Sequence, residues 1–306
     1  MNLTSSNQTK LYGLENYFDE FKELYSKDKL PTKILLSGLK GIGKSTLAYH
    51  LINYILSLGE ENSYDFKKYT INSENRSYRL IQNHTSLNFN LIDVNPDKKA
   101  INIEQIRSLI NNLNKSSFNS KPRFVLIDNI EYLNLNSVNA LLKVLEEPNF
   151  NIHFILIHNN KKVTSTLLSR CLNFKIFLSN KKINEINQNL FNAEITNEVN
   201  KDLIDYYFTP GMLYNLLKLS KDKKIELKNL DLNDLITLLI NESYYKKDNN
   251  IKNLLYDLIE FFILKKISIS YSDLSNYFLN RINNCKKFNL DDESFFLEIN
   301  SKLLNE

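Results

Sequence analysis

The sequence predicts an α/β fold, with a parallel sheet covered on both faces and a helical C-terminal half. Three observations carry this prediction. Short runs at Ile34–Leu36, Phe124–Ile127 and Phe154–Ile157 alternate with segments of helical spacing. These runs are apolar throughout rather than alternating, as strands buried on both faces are. Beyond about residue 180 the strand signal stops while helical spacing continues.

Taken in order, Ile34-Leu35-Leu36 is the first strand. A glycine-rich loop follows, then a helix whose apolar face is Leu47, Ala48, Leu51, Ile52 and Ile55. Leu87, Phe89 and Leu91 alternate as a second strand ending near Asp93. Asn102 has the character of an N-cap, with Gln105 three residues on as in a capping box. Ile103, Ile106, Ile110 and Leu113 form that helix's stripe. Phe124–Ile127 is a strand ending at Asp128, and Val138, Leu141, Leu142 and Leu145 mark a helix closed by Pro148. Phe154–Ile157 and Phe174–Phe177 are the last two strands. Residues 180–225 read as short helices around Gly211. From about 230 the helical stripes are Leu235, Leu238 and Leu239, then Leu254, Leu255, Leu258, Ile259 and Phe262, then Leu274 and Phe278. The Asn/Lys-rich stretches near 60–80 and 243–250 read as loops.

The bulk numbers exclude more than they assign. With 306 residues, 42% of them hydrophobic, the chain can bury a large core in two or three domains. A net charge of +4 is too small to imply a nucleic-acid partner. Two distant cysteines, Cys171 and Cys285, exclude a disulfide framework and a four-cysteine zinc site, and a reducing cytoplasm is the expected location. No signal peptide is expected from the opening Met1–Asn7, which lacks a basic region followed by an apolar run. The longest apolar stretch, Leu254–Ile269, is broken by Asp257, Glu260, Lys265 and Lys266, so no membrane partner is expected. His50, His84, His153 and His158 share no metal-ligand spacing, and the aromatics lie along apolar faces as core residues do.

The chemistry concentrates in one loop. Of six glycines in the chain, Gly38, Gly41 and Gly43 fall together in Gly38-Leu39-Lys40-Gly41-Ile42-Gly43-Lys44-Ser45, a match to G-x-x-x-x-G-K-[ST]. Such a loop turns successive N–H groups toward phosphate oxygens, and the helix beginning with Lys44, Ser45 and Thr46 adds its dipole. Lys44 supplies a cation for the β- and γ-phosphates and Ser45 a hydroxyl for Mg²⁺. With strand before and helix after, the loop predicts binding of a nucleoside triphosphate such as ATP with Mg²⁺. Asp128 at the end of its strand is the expected second Mg²⁺ ligand. The next residue, Asn129, is an amide that cannot act as a base, and the nearest carboxylate is Glu131. Nucleotide binding can therefore outlast hydrolysis.

Several segments together resemble the bacterial clamp-loader branch of the AAA+ ATPases. They are Leu30-Pro31 before the P-loop, Ile101–Arg107, the stretch Asn139-Ala140-Leu141-Leu142-Lys143-Val144-Leu145-Glu146-Glu147-Pro148, and Ser169-Arg170-Cys171. The resemblance covers about residues 10–178 and fades afterwards. It implies an AAA+ nucleotide-binding domain over 1–178, a helical lid domain over 179–228 and a helical collar domain over 229–306. Within the family the chain looks like the δ′ type rather than the γ/τ type. No cysteine precedes position 171, so the γ/τ zinc module is missing. Asn129 stands where γ/τ carries glutamate, and Thr209–Tyr214 lacks the sensor-2 arginine. The resemblance implies that Arg170 acts in trans on a neighbour's γ-phosphate, with Ser169 orienting its loop. It also implies a polar sensor at Asn159 or Asn160, and a Lys143 facing DNA. The implied partners are the other clamp-loader subunits (γ/τ and δ), the sliding clamp and primed DNA. An active γ/τ-type motor and a scaffold with a relic P-loop are the competing readings.

Overall fold

Apolar runs that are buried on both faces pair into a single parallel sheet. The structure, a computed structural model, describes residues 4–95, 98, 100–115, 119–146, 151–159, 163–191, 198–204, 209–266, 272–288 and 290–304. Its strands are β1 (Lys33–Ser37), β2 (Phe89–Ile92), β3 (Arg123–Ile127), β4 (Ile152–His158) and β5 (Leu172–Lys175), in spatial order β2-β3-β4-β1-β5. All pairings are parallel; Ile34 lies opposite Ile155 of β4 and Leu172 of β5. The three central strands keep their apolar residues out of water, as continuous runs require.

The two edges depart from the sequence expectation. Leu87, Phe89 and Leu91 do not make one buried face: Phe89 and Ile92 are buried, while Leu87 is 60% and Leu91 39% exposed. β2 has a neighbour on one side only, so part of it faces water. β5 begins at Leu172, two residues before the expected start, because its register is set by pairing with β1. The ladder still reaches Ile176, whose N–H donates to Ser37 O at 2.7 Å.

Helices α1 (Glu15–Ser26), α2 (Lys44–Leu56), α3 (Arg76–Gln82), α4 (Ile103–Leu113), α5 (Leu135–Glu146), α6 (Ser165–Leu168) and α7 (Asn180–Phe191) follow in chain order. The apolar residues of α4 and α5 (Ile106, Leu109, Leu113, Leu141, Leu145) pack with Val125, Ile127, Phe154 and Leu156 of the sheet. Elsewhere α1 buries Phe18 against Tyr64 and Phe21 against Phe174, ring centroids 4.9 and 4.7 Å apart. The capping box of α4 forms in part as expected, Asn102 N–H donating to Gln105 Oε1 at 3.0 Å. α3 lies within the segment read as loop. Its N-cap is Asn75, whose side chain accepts from Tyr78 N–H at 2.8 Å. Pro148, the expected stop of α5, lies outside the described residues.

The chain divides into two compact units: Met1–Ile186 with Thr209–Gly211, and Asn187–Phe208 with Met212–Glu306. The second is helical, with no strand among its described residues. One apolar cluster runs through it, joining Leu203, Leu216 and Leu219 to Leu235, Leu255, Leu258, Phe278, Phe295 and Phe296. Gly211, expected among short helices, is the second residue of the helix Pro210–Lys223. Among the described residues no helix is long and apolar enough to cross a membrane.

Candidate functional site

The site grows from the C-terminal ends of the strands. β1 ends at Ser37, α2 begins at Lys44, and the loop between them turns through Gly38, Gly41 and Gly43 at φ of 154°, 81° and 95°. Gly38 has a second reason to be glycine: a Cβ there would stand 2.3 Å from Ile176 O. The loop is also held from residues far along the chain. Thr209 Oγ1 donates to Lys40 O at 2.7 Å, and Gly211 N–H donates to Gly41 O at 2.9 Å. A Cβ on Gly211 would come within 2.8 Å of Gly41 Cα.

Lys44 is 3% exposed and folds its ammonium back into the loop, donating to Gly38 O at 2.9 Å and Leu39 O at 2.6 Å. Burial pulls its pKa down to about 8, against the opposing pull of Asp128 and Glu131. Ser45 donates its hydroxyl to Asp128, with Thr46 beside it in the first turn of α2. Asp128 is pushed up to about 6, first by burial and then by the charge of Asp93; Ser45, the Asn129 N–H and Lys44 oppose the rise. Glycine backbone, buried cation, hydroxyl and carboxylate fit a polyphosphate with its divalent ion.

Beside Asp128 runs a chain of amides and carboxylates. Asn129, in the left-handed region at φ 56°, donates its N–H to Asp128 Oδ1 at 2.8 Å. Its Nδ2 donates to Asp93 Oδ1 at 2.9 Å, and its Oδ1 accepts from Asn159 Nδ2 at 2.8 Å. Asn159 Nδ2 also donates to Glu131 Oε1 at 3.0 Å, while Glu131 Oε2 is buried without a partner. The ends of β2, β3 and β4 are thus tied together through position 129. Glu131 reaches this chain from the 3₁₀ turn Ile130–Tyr132. Asn160 lies outside the described residues.

Two of the residues singled out in the sequence stand elsewhere. Arg170, just after α6, donates through Nε to Glu146 Oε1 at 3.0 Å and through Nη1 to Thr166 O at 2.9 Å; Nη2 also meets Glu146. Ser169 Oγ donates to Thr166 O at 3.2 Å. Burial pushes the Cys171 thiol up to about 11, so it stays protonated and unreactive. Lys143, on α5, lines a cavity of about 680 Å³ with Arg107, Ile110, Asn139 and Phe154.

The family model described as "DNA polymerase III, delta subunit" matches residues 13–179. The chain belongs to this family. The match begins two residues before α1 and ends after β5, so it takes in the whole sheet and every site residue above except Thr209 and Gly211. The chain is 33% identical over 168 residues to DNA polymerase III subunit gamma of Buchnera aphidicola subsp. Schizaphis graminum, a stretch that spans 55% of this chain and 44% of that protein. It spans less than half of that relative's length. To the delta′ subunit of the same organism it is 26% identical over 274 residues, 85% of this chain and 81% of that one. A crystal structure of a gamma subunit-related protein from Thermotoga maritima covers 94% of this chain and 96% of its own, with 16% identity and a TM-score of 0.51. That likeness is one of fold, and it agrees with the AAA+ arrangement expected from the sequence, a P-loop leaving a central β1.

The structure therefore brings Gly38, Gly41, Gly43, Lys44, Ser45, Thr46 and Asp128 into one site, with Asn159 joined to it through Asn129. Arg170 and Lys143 have no partner in that group. Sequence reasoning missed Asp93, Glu146 and the loop contact of Gly211. Gly211 had a visible signal, a glycine in a chain that holds six, and Glu146 stood within the family-like stretch 139–148 without any sign of its partner.

Proposed function

We propose that this protein is a δ′-type subunit of the DNA polymerase III clamp loader, which binds ATP in its own P-loop but contributes to hydrolysis chiefly at a neighbour's site. The observation that carries this reading is the state of position 129. An amide stands there, engaged by Asp93 on one side and Asn159 on the other, so no carboxylate directly after Asp128 is available to take a proton from water. Gly38, Gly41 and Gly43 would cradle the phosphates, Lys44 would neutralise them, and Ser45 and Asp128 would hold Mg²⁺, with Thr46 in the same turn. Bound Mg²⁺ would draw charge from the phosphate oxygens. Arg170 would reach the γ-phosphate of an adjacent subunit, where a guanidinium stabilises charge on the transferred group.

Partners in this reading are the γ/τ and δ subunits, the sliding clamp and primed DNA, in the cytoplasm. Lys143, which lines one cavity together with Arg107, would meet DNA phosphates. Residues 1–178 would be the nucleotide-binding domain, 179–228 the lid and 229–306 the collar. Asn159 would serve as the polar sensor, already tied to positions 129 and 131.

Two measurements test the reading. The purified chain with Mg²⁺ should bind ATP and turn it over slowly or not at all. An Arg170→Ala variant should keep that binding while lowering the ATPase of the reconstituted assembly by about a thousandfold, the size of an arginine supplied in trans. Unchanged assembly activity removes the trans-arginine role. A second reading, hydrolysis at the chain's own site, is favoured by one observation: Glu131 keeps a buried carboxylate oxygen without a partner, close enough to Lys44 to act on its charge. Steady turnover by the isolated chain, lost in Glu131→Gln, would make that second reading the correct one.

A further inference from the structure

We propose that Glu146 is the positioning residue for Arg170, an inference that rests on the trans role given to Arg170 above. Glu146 is the last described residue of α5, whose apolar stripe is fixed in the core through Val138, Leu141 and Leu145. Beside it, Lys33 donates Nζ to Leu145 O at 2.8 Å. What Glu146 does meet is Arg170, 24 residues further along the chain and beyond β4 in sequence.

The donor count shows what that contact accomplishes. A guanidinium has five N–H groups. Nε and one N–H of Nη2 go to Glu146 Oε1, and one N–H of Nη1 goes to Thr166 O. Among the described residues, one N–H on each terminal nitrogen keeps no partner, and such N–H groups can be offered to phosphate oxygens. The side chain is held at its base by two elements and is still one-third exposed. With both partners partly in water, such an ion pair adds little to stability. Its effect is to hold a long, rotamer-rich side chain in one orientation, so that little ordering remains when a phosphate arrives. Glu146 touches no reacting atom in this arrangement; it acts through Arg170.

The test uses the reconstituted assembly with its γ/τ and δ subunits, comparing Glu146→Ala, Glu146→Gln, Arg170→Ala and the double variant. Glu146→Ala should lower kcat about tenfold with KM unchanged, because a misplaced group costs up to a hundredfold in rate. Glu146→Gln, which keeps an acceptor oxygen at the same reach, should restore most of the rate. In the double variant the loss should equal that of Arg170→Ala alone, since Glu146 has no other route to the reaction. A normal kcat in Glu146→Ala beside a reduced one in Arg170→Ala overturns the positioning role and leaves the trans arginine standing. Losses that multiply in the double variant overturn it as well. If Arg170→Ala itself has no effect, the trans reading falls and this inference with it. Rates are taken per assembled complex, and Glu146→Asp, which withdraws the carboxylate by one methylene, serves if the alanine variant does not assemble; full activity there counts against the proposal.

Discussion

Raising the pH from 7 to 9 should weaken nucleotide binding about tenfold, and Lys44 sets that size. In the free chain its ammonium is almost wholly out of water, and desolvation pulls its pKa to about 8, with Asp128 and Glu131 preventing a deeper fall. A phosphate beside the ammonium returns the group toward the ordinary lysine value of about 10.4. Binding therefore selects the protonated lysine. That form makes up about nine-tenths of the free chain at pH 7 and about one-tenth at pH 9, a ratio of about ten, or ~1.4 kcal/mol. Calorimetric titration with a non-hydrolysable ATP analogue, in two buffers of different ionisation enthalpy, reads both quantities. The Kd should rise tenfold across this range, and near pH 8 about half a proton should be taken up per nucleotide bound. The same shift has the opposite sign for stability. Without nucleotide, the unfolded chain holds more protons than the folded one between about pH 8 and 10.4, so this group makes the fold more stable as pH rises through that window. A flat Kd from pH 7 to 9 with no proton uptake would refute the depressed lysine.

Two further outcomes follow from the same unit. Gly38→Ala should cost about 2–3 kcal/mol in urea unfolding, because its Cβ would meet a backbone oxygen, Ile176 O, at 2.3 Å in a left-handed conformation; wild-type stability would show that the β1–β5 junction yields freely. His50, on α2, donates Nε2–H to Gln8 O and accepts at Nδ1 from Tyr64 Oη, 2.9 Å each, and burial lowers its pKa to about 4 despite the Gln8 contact. The unfolded chain then binds more protons between about pH 4 and 6.5, so stability should fall by about 2 kcal/mol from pH 7 to 5. A His50→Gln variant should lose that part of the slope, and an unchanged slope would assign it to other groups.

What was legible in the sequence was whatever has a local cause. The P-loop glycines, the capping pair Asn102 and Gln105, and the continuous apolar strands each follow from neighbours within a few residues. α1 and α3 were not legible, because polar composition hides them and their anchors, Phe18 on Tyr64 and Asn75 on Asn62, come from elsewhere in the chain. The edges misled for a related reason: alternation at Leu87, Phe89 and Leu91 says nothing about how many neighbours a strand has. At the site, Asn129 was read as a missing base. Its bridge between Asp93 and Asn159 needed three strand ends side by side. Glu146 was visible only as part of a family stretch, since its link to Arg170 spans β4.

The parallel sheet also decides when the proposed nucleotide site can exist during synthesis. β1 and its P-loop are made early, yet neither neighbour of β1 is. Lys33 pairs with Phe154 and Ile34 with Leu172, so the strand that carries the loop stays unpaired until β4 and β5 have emerged. Closing such long connections is entropically costly and slow. Gly38 makes the dependence sharper, since it packs on Ile176 O, the last contact of the ladder. Chains arrested before about residue 176 should hold an intact P-loop sequence and no working cradle, and the first nucleotide captured by a nascent chain would mark completion of the sheet.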